Sequence, residues 1–167
     1  MLGVPAARAA AIAAEYPPAA YPSPAVGFSA LVGDANFACP ALRIDQRTSQ
    51  RVPVFAYEFN DDSAPLRFTP PLVGPPVATH GSELQYLFDL TATFPSALTA
   101  PQEQLAASMR QYWTNFASRG FPSSSGEPLW PRFDSVSQRM ISLIPPQPQA
   151  ETGFAAEHHC AFWALAG

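Results

Sequence analysis

Residues 52–59 read Val-Pro-Val-Phe-Ala-Tyr-Glu-Phe and place β-forming side chains on both faces of an extended segment. This pattern is typical of a strand that helices cover on both sides, as in the sheets of α/β proteins. Pro53 is compatible with it only near the start of the strand, because proline cannot donate a ladder hydrogen bond. The stretch therefore predicts an α/β fold, and the polar run 60–65 ends the strand.

The segment that follows this strand leads through a long Pro-rich loop to His80. Long loops in compact domains are commonly functional. A short helix is predicted from Ser82, whose side chain can cap the backbone N–H of Gln85 while Gln85 reaches back in a capping box. Three apolar side chains are expected to share one face of that helix: Leu84, Leu87 and Phe88.

Helical and strand periodicity predict the remaining elements. Helices are expected over residues 6–15, from Pro24 towards Cys39 with a kink at Pro40, over 101–119 with Gly120 closing the helix, and over 154–165; a further strand is expected over 139–144. Because no internal repeat is visible, residues 1–167 are expected to form a single unit with Pro-rich connections.

The composition is poor in charge for a small domain. Charged residues make up 13% of the chain against a usual share of about 25%, while 47% of residues are hydrophobic. Such a chain has too little charge to cover an ordinary surface. We therefore expect an apolar face that packs against other protein, with self-association as one way to cover it.

The distribution of charge and apolar residues argues against several partners. The net charge is -4, and the nine basic residues are arginines scattered from Arg8 to Arg139, so no basic stripe for nucleic acid is present. Prolines interrupt the apolar runs, which predicts no membrane span. Pro5 and Arg8 lie where a signal peptide has its apolar centre, so no signal peptide is expected in this chain and its compartment stays open.

The two cysteines, Cys39 and Cys160, lie far apart in the sequence and match no common zinc motif. Taken alone, such a pair is more often two free buried thiols than a disulfide in a chain without a visible export signal. Metal binding by the run 157–160, Glu-His-His-Cys, is disfavoured because consecutive side chains point in different directions and no second ligand pair has a usable spacing. Neither a metal nor another cofactor is expected.

Seven segments, in order, resemble the last third of the type B carboxylesterases, the family of cholinesterases and para-nitrobenzyl esterases. They are residues 21–24 (Tyr-Pro-Ser-Pro), 34–40 (Asp-Ala-Asn-Phe-Ala-Cys-Pro), 52–61, 80–88 (His-Gly-Ser-Glu-Leu-Gln-Tyr-Leu-Phe), 112–117 (Tyr-Trp-Thr-Asn-Phe-Ala), 130–131 (Trp-Pro) and 160–163 (Cys-Ala-Phe-Trp). The resemblance implies the C-terminal portion of an α/β-hydrolase fold, a mostly parallel sheet flanked by helices, with the N-terminal portion absent.

The same resemblance assigns roles to individual residues. His80 corresponds to the histidine of the catalytic triad, and Glu83 to the glutamate that follows it in the family. Glu83 either supports the histidine loop or is simply a carboxylate at a helix start, and the two readings have equal weight. A helix dipole behind His80 would favour the neutral imidazole that a general base requires. The resemblance also implies a disulfide between Cys39 and Cys160 and a secreted parent protein.

The nucleophile of such an enzyme is not found in the sequence. It requires a serine on a Gly-x-Ser-x-Gly turn, and the nearest match places Leu31 where the second glycine should stand after Ser29, in a segment that looks helical. Asp34 belongs to a family segment but not to the triad, so its expected role is structural. The acidic triad member and the oxyanion loop are expected upstream of residue 1.

Two functions from different classes follow. In the first, the chain is part of a serine carboxylic-ester hydrolase that supplies His80, inactive alone, and acts on a small carboxylic ester only when completed by the N-terminal part. In the second, it is a non-catalytic binding module like the cholinesterase-like adhesion proteins. The product of a truncated gene is a third possibility.

Overall fold

The computed structural model of the protein describes residues 4–65, 77–90 and 97–164. These residues form two compact units: one holds the residues up to Ile44 and from Gly153 onwards, and the other holds those from Asp45 to Thr152. Folding as a single unit stays a prediction. Part of the predicted Pro-rich loop, residues 66–76, and the last residue of the predicted C-terminal helix, Leu165, lie outside the described residues.

Helices and three short strands make up the described elements. In chain order they are α1 (Ala6–Glu15), a 3-10 turn (Pro18–Ala20), α2 (Pro24–Gly33), a π-helical turn (Asp34–Ala38), α3 (Cys39–Thr48), β1 (Tyr57–Phe59), α4 (Leu84–Leu87), α5 (Ala100–Arg119), β2 (Met140–Leu143), β3 (Gln149–Glu151), α6 (Phe154–Glu157) and α7 (Cys160–Ala164). These elements confirm an α/β composition.

Local sequence sets the ends of the first helices. Helix α1 ends at Glu15 because Tyr16 precedes a proline and is pushed out of the α region. Helix α2 begins after Ser23, whose Oγ accepts a hydrogen bond from the backbone N of Val26 at 3.3 Å, with Pro24 in the first turn. The end of α1 and the start of α2 both agree with the predicted helices.

The chain stays helical through Pro40, the position of the predicted kink. Proline has no N–H to donate, and its ring collides with the carbonyl four residues earlier in a regular α-helix. The wider π-helical turn at Asp34–Ala38 directly precedes Pro40 and supplies the extra room. The chain can therefore continue as α3 to Thr48.

One helical stretch among the described residues, Pro24–Thr48, is long and apolar enough to cross a membrane by length and composition, with a mean hydropathy of 1.3. This is weak evidence, because core helices of soluble proteins and signal sequences satisfy the same criterion. The expectation of no membrane span stays a prediction.

The second unit is built on a three-stranded mixed sheet in the order β1-β2-β3. Strand β1 pairs in parallel with β2, in the register Tyr57 to Ile141, and β2 pairs antiparallel with β3. All four residues of β2 are buried, as expected for a central strand. Strand β1 is shorter than the predicted 52–59 and lies at the edge, so Tyr57 stays 41% exposed rather than covered on both faces.

The core of this unit lies between the sheet and helices α4 and α5. Its largest fully buried side chains are Tyr86, Leu105, Met109, Tyr112, Ile141 and Leu143. The apolar side chains of α5 are buried from Leu105 to Tyr112, whereas Phe116 is 50% exposed. Helix α5 closes at Gly120, whose φ of 71° is the left-handed conformation that glycine adopts readily, as predicted.

Three helix-level predictions are wrong in detail. The capping box lies at Thr99 and Gln102 of α5, not at Ser82 and Gln85, because the Ser82 hydroxyl bonds back to Thr79 instead. On α4 the buried residues are Gln85 and Tyr86, while Leu84 and Phe88 are exposed. The predicted C-terminal helix is divided into α6 and α7 at His159, whose φ of 52° is incompatible with a continuous helix.

Candidate active site and the clusters that support the fold

His80 lies on a tight, hydrogen-bonded turn in the second unit. The backbone N of Ser82 donates to the carbonyl O of Thr79 at 3.0 Å, and the hydroxyls of these two residues lie 2.7 Å apart. Gly81 has a φ of 83°, the value that a type II turn requires at its third position. His80 therefore occupies the second position of this turn, and its side chain is exposed.

The helix that follows His80 is too short to supply the predicted dipole. Helix α4 has four residues and begins four positions after His80, with Glu83 as its N-terminal flanking residue. The field of a helix terminus falls off within about one turn, and one turn sums few peptide dipoles. The structure therefore gives no support to the predicted helix dipole behind His80.

Glu83 is half-buried at the start of α4, and its side chain makes no capping hydrogen bond. Burial and, after it, the negative charge of Glu83 raise the pKa of the Tyr57 hydroxyl above its usual value. A supporting role for Glu83 beside His80 stays a prediction.

Asp61, just after β1, is the centre of a buried polar cluster that sequence reasoning missed. It is 3% exposed, and its carboxylate accepts hydrogen bonds from the Ser63 backbone N at 2.9 Å, the Ser63 Oγ at 2.6 Å and the Gln102 Nε2 at 2.8 Å. The Tyr86 hydroxyl donates to it as well. Burial by itself raises the pKa of Asp61, but the donors outweigh burial and hold that pKa below its usual value.

The first unit contains the predicted disulfide. Cys39 and Cys160 are bonded, with Cα atoms 5.2 Å apart, so α7 is tied to the start of α3. The comparison with the family predicts this pair correctly, whereas the cysteines taken alone favoured free thiols.

Beside the disulfide, Asp34 is buried and has two partners within the first unit. The Tyr16 hydroxyl donates to Asp34 Oδ2 at 2.9 Å, and His158 Nδ1 lies 2.6 Å from Asp34 Oδ1. Trp163 Nε1 donates to the Tyr16 hydroxyl at 2.6 Å. Burial is the main cause that raises the pKa of Tyr16 far above its usual value, and hydrogen bonding to Asp34 adds to it. This arrangement agrees with the expected structural role of Asp34.

Ser29 does not have the geometry of a hydrolase nucleophile. It lies in the middle of α2 on an exposed position, whereas a nucleophilic serine stands on a sharp turn between a strand and a helix. Across residues 4–65, 77–90 and 97–164, no group of three His, Cys, Asp or Glu side chains is arranged to hold a metal ion.

An aromatic groove of about 170 Å³ opens on the second unit. Its walls are formed by side chains of β1, α5 and the segments around them: Phe55, Tyr57, Tyr112, Trp113, Phe116, Pro122 and Trp130. The rings of Trp113 and Trp130 are 5.3 Å apart, and Tyr57 packs edge-on against both. The groove is therefore a preformed apolar surface.

A sheet with a parallel pair, helices packed on it and a histidine on a tight turn after the edge strand define part of an α/β fold. The sequence profile of the carboxylesterase family matches residues 11–163. The chain belongs to the carboxylesterase family, as the sequence segments predict, and its fold is part of the α/β-hydrolase fold.

Individual relatives agree with this assignment. The chain is 33% identical to human cocaine esterase over 138 residues, which cover 81% of this chain and 24% of that protein. It is 35% identical to the rat pyrethroid hydrolase Ces2e over 123 residues (72% and 21%), and 33% identical to chicken acetylcholinesterase over 135 residues (80% and 17%). The chain spans about a quarter or less of the length of these relatives.

Proposed function

We propose that this chain supplies the triad histidine, His80, of a serine carboxylic-ester hydrolase. In that role the imidazole accepts the proton of the serine hydroxyl during acylation and returns it to the leaving alcohol. The observation that carries the proposal is the position of His80: exposed on a turn that a hydroxyl pair and Gly81 hold in shape, in a chain of the carboxylesterase family. Small carboxylic esters are the proposed substrate class.

The chain alone is proposed to be inactive. Ester hydrolysis also requires a nucleophile and donors that stabilise the oxyanion, and a histidine by itself lowers the barrier little. Ser29, the nearest candidate nucleophile, lies inside α2. Glu83 is proposed to support the His80 turn, and the acidic member of the triad is proposed to come from outside residues 1–167.

The first test is hydrolysis of p-nitrophenyl acetate by the purified chain and by its His80→Gln variant. We expect equal, background-level rates. Turnover by the purified chain that His80→Gln removes would refute the claim of inactivity.

The second test places His80 in a complete enzyme. Human cocaine esterase carrying residues 77–90 of this chain in place of its own matching segment should hydrolyse the ester, and His80→Gln should lower kcat by roughly 10⁶-fold. The control is a second chimera that carries His159 on the matching C-terminal segment. In that chimera, His159→Gln should change kcat by no more than twofold. A well-folded chimera whose kcat is unchanged by His80→Gln would overturn the proposed role.

A second candidate function is protein binding without catalysis. The aromatic groove favours it, because a chain with 13% charged residues presents a preformed apolar surface there. Self-association through this groove is the form of binding that we propose.

A further inference from the structure

The short connection after β1, residues 60–65, contacts the chain on both sides of His80. Before the histidine, the backbone N of Ala78 donates to Asp62 Oδ1 at 2.9 Å. After it, the Tyr86 hydroxyl donates to Asp61, and Gln85 Nε2 donates to the carbonyl O of Pro65 at 2.9 Å. The His80 turn is thus held at both ends by the segment that leaves the sheet.

The charge of Asp61 makes the contact with Tyr86 hard to break. Tyr86 has no exposed surface, so water cannot take the place of its hydroxyl without opening the core. A buried carboxylate that loses a hydrogen-bond donor is destabilised by its full desolvation penalty. Hydrogen bonds to charged groups are also about twice as strong as those between neutral groups. Since Gln102 on α5 binds the same carboxylate, Tyr86 is fixed relative to both β1 and α5.

The His80 turn depends on this anchor because its own helix is weak. Helix α4 has four residues, far below the length at which a helix is stable by itself. Its backbone bonds, such as Leu84 N to Gly81 O at 3.2 Å, run directly into the turn. Movement of Tyr86 would therefore move the turn that carries His80.

We propose that Asp61 is a positioning residue for His80, acting through Tyr86. The inference rests on the proposed function of His80. A general base must lie within hydrogen-bond reach of its proton, and a displacement of about 1 Å can lower a rate by roughly 100-fold. The ionised Asp61 carboxylate fixes the distance between the sheet and the His80 imidazole, because it holds Tyr86, which lies six positions after His80.

The test on this chain compares two buried hydroxyls in the same unit. Tyr86→Phe removes the bond to Asp61, while the control Tyr112→Phe removes the 2.6 Å bond from the Tyr112 hydroxyl to Pro128 O, in a side chain that is as buried as Tyr86. Amide hydrogen exchange is measured by NMR at Ser82 and Leu84 in the turn and at Ile141 in β2. We expect Tyr86→Phe to accelerate exchange in the turn at least tenfold relative to Ile141, and Tyr112→Phe to leave that ratio within twofold.

Asp61→Asn should accelerate exchange in the turn as Tyr86→Phe does. An unchanged ratio in Tyr86→Phe, or an equal change in Tyr112→Phe, would overturn the positioning role, because the bond would then contribute only to general stability.

The catalytic arm uses a cocaine esterase chimera carrying residues 61–90 and 97–119 of this chain. Tyr86→Phe should lower kcat tenfold or more with KM within twofold. The control Ser118→Ala removes the bond from Ser118 Oγ to the carbonyl O of Thr114, 2.9 Å long, and should leave both parameters unchanged; equal losses in the two variants contradict the proposal. If activity survives His80→Gln, the proposed function fails, while the exchange ratio still decides whether Asp61 positions the turn.

Discussion

Gly81 is the residue on which the shape of the His80 turn depends. Its φ of 83° lies in the left-handed region, where a Cβ atom collides with the backbone. The sequence places His80 and this glycine side by side, and the family resemblance points to the histidine. The requirement for a positive φ appears only once the bond from Ser82 to Thr79 closes the turn.

Gly81→Ala tests this requirement. The added Cβ at positive φ should lower the free energy of unfolding by about 1–2 kcal/mol. Urea denaturation followed by tryptophan fluorescence measures the change. Gly33→Ala is the control, since Gly33 is helical and a Cβ there meets no atom within 4 Å, so that variant should be equal in stability or slightly more stable.

Asp61 predicts how stability depends on pH. Its pKa is lower in the folded chain than the usual value of about 3.9 that applies when unfolded, so ionisation stabilises the fold above about pH 4. That stabilisation is lost as the pH falls through the folded pKa. Asp61→Asn should therefore lower the free energy of unfolding by about 1–3 kcal/mol at pH 7. In this variant the free energy of unfolding should also fall less steeply as the pH is lowered.

Chemical denaturation from pH 7 down to about pH 3 measures this difference. Asp134→Asn is the matched control, because Asp134 accepts similar bonds from Val136 and Ser137 but lies on an exposed loop, where solvent screens the charge. If the free energy of unfolding depends on pH in the same way in the wild type and in Asp61→Asn, the stabilising role of the Asp61 carboxylate is contradicted.

Asp61 and Asp34 also mark the limit of prediction at the residue scale. Two partners of Asp61 lie 25 and 41 positions away, at Tyr86 and Gln102, and His158 lies 124 positions from Asp34. Turn composition explains why an aspartate follows β1, but no local pattern says which donors it meets. Such clusters follow from tertiary packing and could be found only in the folded chain.

At the scale of elements, helices with strong local signals were predicted well. Helix α5 has Pro101 in its first turn, an apolar stripe and Gly120 at its end, and it forms within one residue of the predicted start. Strand β1 was overestimated because its length depends on partners, and β2 pairs with it over three residues only. The division between α6 and α7 depends on His159, which carries no local breaking signal such as proline.

The capping box of α5 gives a prediction at this scale. Thr99 and Gln102 satisfy each other at the helix start, and the Thr99 N lies 2.9 Å from Gln102 Oε1. Thr99→Ala should lower the free energy of unfolding by about 1 kcal/mol, measured by urea denaturation. Thr114→Ala, in the middle of the same helix, is the control, and a cost as large as that of Thr99→Ala would contradict the capping role.

The disulfide joins two elements that the chain separates by 121 positions. In the chain-entropy model, closing so long a loop contributes roughly 4–5 kcal/mol by restricting the unfolded chain. Replacing Cys39 and Cys160 together by Ala should lower the free energy of unfolding by about this amount, as measured in urea without reductant. The wild-type chain with a reducing agent should approach the double variant, and no difference between oxidised and reduced chains would contradict the estimate.

At the scale of the whole molecule, the aromatic groove predicts concentration-dependent self-association. Sedimentation velocity from about 1 to 100 μM should show a shift from monomer to dimer. Phe116→Ser removes a half-exposed ring from the groove wall and should abolish the shift. Val136→Ser, which changes a 92% exposed residue outside the groove, is the control. A monomer at every concentration would contradict self-association.

The bond between Cys39 and Cys160 also decides what a single proteolytic cut would do to this molecule. The exposed positions Ser125 and Gly126 lie on a loop between the two cysteines in sequence. A cut there would leave an N-terminal piece with one cysteine and a C-terminal piece with the other. The two pieces would remain covalently linked and migrate as one band, and they would separate only after reduction.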